Sequence, residues 1–288
     1  MPLVSTKTIL KLAEEKNFAL PAFNVPIPEF ILWVLEEGEE MGAPLIIQVA
    51  PVEYEALDIR MFYGTLLFLS QRFSIPFSLH LDHAHHLEEI LLAIQNGFSS
   101  VMIDGSRLPL EENINLTNKV IEIAHPVEVL VEGELGRVGG LEGDESWEEK
   151  SKEGDFFTSP EEAKEFVYKA PVDMLAVAVG TRHGLYEGRT PQLQFERIKE
   201  IREKSNLPLV IHGGSGTPQE QLRKAAQLGV RKINFSTALR VQYLDAFQEY
   251  LKNHPQELMV GKILQGVEGK VKEAIRECIV SSCAEGKV

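Results

Sequence analysis

The stretch from Phe77 to Gln95 reads FSLHLDHAHHLEEILLAIQ, and it contains the unit that predicts the fold. Phe77–Leu81 is a short apolar run typical of a buried strand, and Leu87–Gln95 has the apolar spacing of a helix. Eight such runs occur along the chain: Ala19–Phe23, Leu45–Val49, Phe77–Leu81, Ser100–Ile103, Glu128–Leu135, Met174–Val179, Leu207–Ile211 and Lys232–Phe235. Eight strands alternating with helices predict a closed (β/α)8 TIM barrel, with residues 1–288 as a single domain.

Helical segments and their start signals support this alternation. Ser159-Pro160 and Thr217-Pro218 each offer an N-cap hydroxyl followed by a proline at the first helical position. The helical segments are Glu29–Met41, Leu87–Gln95, Leu110–Ala124, Ser159–Tyr168, Gln192–Lys204 and Pro218–Leu228. From about Tyr243 onward the pattern predicts additional C-terminal helices, more than a barrel requires.

Composition and charge exclude several classes of protein. Of the 288 residues 44% are hydrophobic and 25% are charged, as in ordinary globular domains. There are 29 lysines and arginines against 43 aspartates and glutamates, which gives a formal net charge of −14. Such a field repels polyanions, so we expect neither nucleic acid nor a membrane surface as a partner.

The two cysteines are too few for a disulfide framework, and no signal sequence is recognisable, which favours a cytoplasmic location.

Histidines follow three of the predicted strands. His83 lies in a histidine-rich segment after the third strand, His183 follows the sixth and His212 follows the seventh. The carboxyl ends of all barrel strands converge at one end, so these three imidazoles can surround a single ion. Three nitrogen ligands with an open coordination position suit Zn²⁺ or a similar transition metal. The alternative is a polar turn whose histidines face water.

Glycines and hydroxyl residues predict an anion site at the same end. Gly213-Gly214-Ser215-Gly216 leads into a helix, and Asn234-Phe235-Ser236-Thr237 follows the eighth strand at another helix start. Backbone N–H groups at helix starts bind phosphate, and the loops after strands seven and eight are the usual phosphate site of this fold.

Acidic residues complete the set of candidates. Asp82, beside His83, is either a general acid/base or a group that orients an imidazole. Asp104 and Glu134 end the fourth and fifth strands and are either supporting groups or an alternative metal position. A long acidic, glycine-rich segment, residues 136–155, predicts a mobile active-site loop, in which Glu142, Asp144 and Glu145 are equally able to act as a base.

Several linked motifs, in order along nearly the whole chain, give a family resemblance. They are Phe23-Asn24, His80-Leu81-Asp82-His83, Ser100-Val101-Met102-Ile103-Asp104, Glu134-Leu135-Gly136 with Gly139-Gly140, Gly180-Thr181-Arg182-His183-Gly184, His212-Gly213-Gly214-Ser215-Gly216 and Lys232-Ile233-Asn234. Together they resemble the class II, metal-dependent ketose-bisphosphate aldolases, a family that includes fructose-1,6-bisphosphate and tagatose-1,6-bisphosphate aldolases.

The resemblance implies a role for each candidate at the metal. His83, His183 and His212 bind a catalytic zinc ion, and Asp104 and Glu134 lie near a second or displaced cation position, divalent or monovalent. It also implies that Asp82 is the proton donor and acceptor, and that Glu142 moves the C3 proton of dihydroxyacetone phosphate.

The resemblance further implies a phosphorylated ketose substrate and a homodimer or homotetramer. The substrate-binding residues are Asn24, Gly184, Gly213, Gly214, Ser215, Asn234, Phe235, Ser236 and Thr237. Arg240 matches a position that binds the second phosphate in some members. The expected reaction is reversible cleavage of fructose 1,6-bisphosphate into dihydroxyacetone phosphate and glyceraldehyde 3-phosphate.

Other substrates and functions stay open. Ala50 and Glu187 stand where many fructose-type members carry serine and lysine, and the Cys283–Lys287 ending resembles the tagatose type, so tagatose 1,6-bisphosphate is the alternative sugar. The pair His83 and His85 is also typical of metal-dependent barrel hydrolases, although theirs follows the first strand. A non-catalytic sugar-phosphate-binding subunit is a third alternative, disfavoured by the presence of Asp82 and all three histidines.

Overall fold

The computed structural model describes residues 2–56, 58–140, 157–184 and 190–288. Its strands, in chain order, are β1 (Leu20–Asn24), β2 (Leu45–Val49), β3 (Phe77–Ala84), β4 (Ser100–Ile103), β5 (Leu130–Leu135), β6 (Gly139–Gly140), β7 (Met174–Val177), β8 (Arg182–His183), β9 (Leu209–Ile211) and β10 (Val230–Phe235). Eight of them form a closed parallel barrel in chain order, with β10 beside β1. The short strands β6 and β8 form a separate parallel pair. The predicted (β/α)8 barrel is confirmed.

Apart from the first, which precedes β1, the helices come after barrel strands. They are α1 (Thr6–Lys16), α2 (Pro28–Met41), α3 (Pro51–Ala56), α4 (Ile59–Leu69), α5 (Leu87–Gln95), α6 (Leu110–Ala124), α7 (Pro160–Lys169), α8 (Phe195–Ser205), α9 (Gln219–Gln227), α10 (Thr237–Asn253) and α11 (Val260–Ser281). None of the helices in the described part of the chain is long and apolar enough to cross a membrane.

Several predicted boundaries are wrong for local reasons. The fifth strand starts at Leu130 rather than Glu128, because Glu128 adopts a left-handed φ of 60° after a 3₁₀ turn. Thr217 does not cap α9: its hydroxyl donates to the Gly213 carbonyl, and the helix begins at Gln219. The helix start expected at Ser236-Thr237 is observed, since α10 begins at Thr237.

The predicted loop at residues 136–155 is described only up to residue 140. Gly139–Gly140 forms β6, which lies beside Arg182–His183, so this part of the loop has regular structure. Residues 141–155, with Glu142, Asp144 and Glu145, lie outside the described residues.

The two ends of the barrel are not alike: a helix covers the amino end, and polar side chains line a cavity at the carboxyl end. Helix α1 covers the amino end, where the Thr6 hydroxyl is 3.0 Å from Ser78 Oγ and 2.8 Å from Ser100 Oγ. The C-terminal helix α11 packs against α10 and α2 and buries one apolar face of its own. The carboxyl ends of the strands are therefore the end at which polar side chains are open to ligands.

Candidate active site

Three histidines that are distant in the sequence meet at the carboxyl end of the barrel. The ring centroids of His83 and His212 are 4.6 Å apart, those of His83 and His183 are 5.2 Å apart, and those of His183 and His212 are 5.8 Å apart. One ligand nitrogen from each ring lies within 4.8 Å of those of the other two. The structure thus brings together the three residues predicted as metal ligands.

An irregularity in β3 gives two adjacent residues access to the same site. In the pairing with β4, Leu81 faces Val101 and Ala84 faces Ile103, so β3 contains one residue more than its neighbour. His83 adopts a positive φ of 47° at this bulge. Adjacent side chains of a regular strand point to opposite faces, and a bulge re-aims one of them. This geometry allows both Asp82 and His83 to reach the barrel interior.

His183 depends on close packing of backbone against Gly213. Gly213 has a positive φ of 66°, and a Cβ atom there would lie 2.3 Å from the carbonyl oxygen of Arg182. Only glycine accommodates both the conformation and the approach. The glycine after His212 therefore fixes the distance between the strand ends that carry His183 and His212.

Asp82 is buried and accepts three amide hydrogen bonds. Asn234 Nδ2 donates to Oδ1 at 3.0 Å, while Asn24 Nδ2 and Gln48 Nε2 donate to Oδ2 at 3.1 and 3.2 Å. Gln48 also donates to Asn24 Oδ1 at 2.8 Å. These contacts fix the carboxylate beside the histidine cluster. Gln48 is not among the candidate residues predicted from the sequence, although it is the polar residue within the apolar run LIIQV.

Two further carboxyl groups face His83. Asp104 Oδ2 is 3.1 Å from Nδ1 of His83 and Glu134 Oε2 is 3.8 Å from it. These three residues form a second group with metal-ligand spacing. Asp104 is held by the backbone N–H and hydroxyl of Ser106, so it can orient the His83 ring.

The electrostatics of the cluster fit a bound cation. Burial lowers the pKa of His212 well below its usual value, and His83 lowers it further, so this imidazole is in the neutral form that binds metals. Burial also lowers the pKa of His83, but the Asp82 charge and the Asp104 hydrogen bond outweigh it and leave the pKa well above its usual value. Burial raises the pKa of Glu134, as does the Asp104 charge. The negative charge of the carboxyl groups around His83 therefore favours a cation at this position.

The donor atoms also fit a metal. Among the described residues, the buried atoms His212 Nδ1 and Glu134 Oε2 have no hydrogen-bond partner. They lie 3.8 Å apart. Unpartnered buried polar atoms are costly, and a metal ion satisfies them. Three imidazoles and an adjoining carboxylate are a donor set that suits zinc.

A polar cavity adjoins the cluster and contains most of the predicted substrate-binding residues. It is lined by Asn24, Asp82, His183, Gly184, Gly213, Ser215, Asn234, Ser236 and Thr237. Ser215 Oγ accepts hydrogen bonds from the backbone N–H groups of Ser236 and Ala238. The first turn of α10 thus faces the cavity, as an anion site requires.

Three predicted substrate-binding residues lie outside the cavity lining. Phe235 is buried and stacks on Phe23 with 5.9 Å between ring centroids, so its side chain belongs to the core. Gly214 is not in the cavity lining; its N–H donates to the Asn234 carbonyl, and a Cβ there would lie 2.5 Å from Ile233 Cγ2. Arg240 pairs with the buried carboxylate of Glu53, which escaped the sequence analysis.

Glu53 links Arg240 to the other polar residues. Its Oε2 accepts from the Ala50 N–H at 2.8 Å and from Asn24 Nδ2 at 3.4 Å. Burial raises its pKa, against the opposing charge of Arg240. Arg240 is therefore connected to Asn24 through one intervening residue, Glu53. It is connected to Asp82 through two, Glu53 and Asn24.

The protein is thus a TIM barrel in which histidines and carboxylates are spaced like metal ligands. Beside them lies a polar cavity of the kind that binds anions. Residues 4–287 match the family model of class II fructose-bisphosphate aldolases, and the chain belongs to that family.

Solved structures of similar proteins agree with this assignment. The YdjI aldolase from Escherichia coli K12 is 32% identical with a TM-score of 0.86, and the match covers 99% of each chain. A protein assigned as a fructose-1,6-bisphosphate aldolase from Coccidioides immitis is 29% identical with a TM-score of 0.86, over 98% of this chain and 97% of that one. Fructose-bisphosphate aldolase from Campylobacter jejuni, 23% identical with a TM-score of 0.81 over 99% and 97% of the two chains, shares the fold.

Replacing Gly213 by alanine tests the backbone packing between the histidine-bearing strand ends. The methyl group meets the Arg182 carbonyl in a left-handed conformation. We expect Gly213→Ala to lower the free energy of unfolding by about 1–3 kcal/mol and, if the histidine cluster binds added Zn²⁺, to weaken that binding at least about tenfold. Chemical denaturation and competition with a chromophoric chelator measure the two effects.

The matched control is Gly269→Ala on α11, where an added Cβ has no atom within 4 Å. We expect it to bind zinc like the wild type. Wild-type stability and zinc affinity in Gly213→Ala would contradict the proposed packing constraint.

Proposed function

We propose that this protein is a zinc-dependent class II aldolase that reversibly cleaves fructose 1,6-bisphosphate into dihydroxyacetone phosphate and glyceraldehyde 3-phosphate. The observation that carries the proposal is the convergence of three imidazoles beside a polar cavity, which the buried Asp82 and one of the imidazoles, His183, line. We further propose that the enzyme is cytoplasmic and acts as a homodimer or homotetramer.

The metal is proposed to bind to His83, His183 and His212, with Asp104 and Glu134 adjoining. A zinc ion at this position supplies a Lewis acid that stabilises negative charge developing on the substrate carbonyl oxygen. A lysine Schiff base is then unnecessary for cleavage.

Asp82 is the proposed base of the cleavage step. It takes the proton from the C4 hydroxyl as the C3–C4 bond breaks, and the bond electrons pass to the dihydroxyacetone phosphate half as an enediolate. The amide donors Asn24, Gln48 and Asn234 fix the carboxylate in the position it needs for this transfer. We propose that Glu142 then delivers a proton to C3, although its position lies outside the described residues.

The phosphate of dihydroxyacetone phosphate is proposed to bind in the cavity beside the first turn of α10. The Ser236 hydroxyl is buried and has no hydrogen-bond partner among the described residues, so it can donate to a phosphate oxygen. Gly184, Gly213 and Ser215 line the same cavity and leave room for the ligand to approach the backbone. Binding the phosphate here orients the reacting carbons against the histidine cluster.

Arg240 is the proposed contact for the second phosphate. Its pairing with Glu53 orients the guanidinium group from one side, and 38% of the side chain stays exposed for contact with a ligand. A bidentate guanidinium is well suited to phosphate.

Metal removal tests the reaction class. We expect dialysis against a chelator to lower cleavage of fructose 1,6-bisphosphate by at least about two orders of magnitude, because several kcal/mol of stabilisation come from the metal, and Zn²⁺ or Co²⁺ to restore it. Borohydride added with substrate should trap nothing, since no Schiff base forms. Full activity in chelator would contradict the metal-dependent mechanism.

The same reconstituted enzyme serves to identify the sugar. We expect a higher kcat/KM for fructose 1,6-bisphosphate than for its C4 epimer tagatose 1,6-bisphosphate. The reverse order would change the substrate assignment and leave the reaction class intact.

Substitution of Asp82 separates proton transfer from metal binding. We expect Asp82→Ala to keep bound zinc and to lose about 10²–10⁴-fold in kcat, the usual contribution of a general base. Steady-state kinetics and metal analysis measure the two quantities. The control is Asp245→Ala on the exposed surface of α10, for which we expect wild-type kinetics. Near-normal turnover by Asp82→Ala would remove the proposed role.

A further inference from the structure

A fully buried ion pair lies in the barrel interior beneath the histidine cluster. Lys232 Nζ on β10 donates to Glu132 Oε2 on β5 at 2.8 Å, and both side chains are 0% exposed. Neither residue is among the candidate site residues predicted from the sequence. Neither one lines the cavity described above.

Glu132 connects this pair to one of the three clustered histidines. Its other oxygen, Oε1, lies 2.9 Å from Nε2 of His212. The opposite ring nitrogen, Nδ1, is 3.8 Å from Glu134 Oε2 and has no hydrogen-bond partner among the described residues. The two nitrogen atoms of the His212 ring therefore have different surroundings: Nε2 contacts a carboxylate, and Nδ1 is without a hydrogen-bond partner in the described part of the chain.

The pair also contacts a second buried chain of polar groups. His80 Nε2 lies 3.5 Å from Glu132 Oε2, and His80 Nδ1 lies 2.8 Å from Ser100 Oγ. Ser100 Oγ is 2.8 Å from Thr6 Oγ1 at the amino end of the barrel. Glu132 is thus constrained from both β10 and β3, and its carboxylate has little freedom to rotate.

Stability of the fold gives no reason for placing these charges here. A buried ion pair is often no more stabilising than well-packed apolar side chains of similar size, because desolvation opposes the attraction. Apolar residues fill such positions in most barrels. A role in orienting His212 accounts for the pair, since ligating histidines commonly donate their second N–H to a carboxylate.

We propose that Glu132 and Lys232 are positioning residues for His212. Glu132 accepts the Nε2–H of His212 and thereby selects the tautomer in which Nδ1 presents its lone pair to the metal. Lys232 donates to Glu132, which fixes the carboxylate and keeps it an acceptor. This inference rests on the proposed metal site and adds to it the device that orients one of its ligands.

A charge-balanced double variant, Glu132→Leu with Lys232→Met, tests the proposal, because leucine also removes the oxygen that accepts the Nε2–H of His212. Either single substitution leaves a buried group without its partner and can prevent folding, whereas the double variant removes both charges together. We expect it to unfold cooperatively and to bind zinc about 10–100-fold more weakly than the wild type. Competition of the metal-free proteins with a chromophoric chelator measures the zinc dissociation constants.

The matched control uses the neighbouring residue of the same strand. Arg231 Nε pairs with Glu14 Oε2 at 2.9 Å, away from the histidine cluster. We expect Arg231→Met to lower stability and to keep wild-type zinc affinity. Equal weakening in Arg231→Met would overturn the proposal, because any lost ion pair on β10 would then have the same effect.

A second readout does not involve the metal. In ¹⁵N-histidine spectra of the metal-free wild type, we expect His212 to be protonated at Nε2, and in the double variant we expect this tautomer to lose its dominance. Wild-type zinc affinity or an unchanged His212 tautomer in the double variant would overturn the proposal. Failure of the wild type to bind zinc would instead contradict the proposed function, and the tautomer spectra still test the role of Glu132.

Discussion

The constraint on which the site depends is that polar groups inside a closed barrel have to satisfy one another. Water does not reach the middle of such a barrel, and an unpartnered buried polar group costs several kcal/mol. Asp82 meets this constraint with three amide donors, and Glu132 meets it with Lys232 and His212. These bonds fix the polar side chains in one arrangement, so the site is preorganised by the same interactions that make its burial possible.

Backbone geometry imposes a second constraint at the ends of the strands. The bulge at Asp82 and His83 lets both of these neighbouring residues point into the barrel interior. Gly213 allows the backbone of Arg182 to approach so closely that no side chain fits between them. Uncommon backbone conformations cost free energy and persist where the surrounding structure requires them. In this protein the bulge in β3 and the positive φ of Gly213 both occur beside the clustered histidines.

Much of the fold follows from the sequence because the signals are local. The apolar runs of β2 and β4 and the periodic segments of α5 and α6 have the observed boundaries, since alternation and apolar period are determined within each segment. Glu128 and Thr217 differ because a left-handed cap and a turn within the glycine-rich segment replace the expected elements. Convergence of His83, His183 and His212 is also predictable, because a parallel barrel brings all strand ends together.

Contacts across the barrel were not predictable from local patterns. Gln48, Glu53, Glu132 and Lys232 are polar residues in or beside apolar runs, and their partners lie far away in the sequence. The pairing of Arg240 on α10 with Glu53 on α3 joins two elements that are far apart in the sequence. The placement of Phe235 in the core follows from strand alternation, which puts it on the opposite face from Asn234.

Anomalous diffraction at the zinc absorption edge, from crystals of the zinc-loaded protein, tests the central claim most directly. We expect one strong peak at the carboxyl end of the barrel, about 2.0–2.1 Å from a ring nitrogen of each of His83, His183 and His212. A zinc peak elsewhere, or one bonded to fewer than two of these imidazoles, would contradict the account.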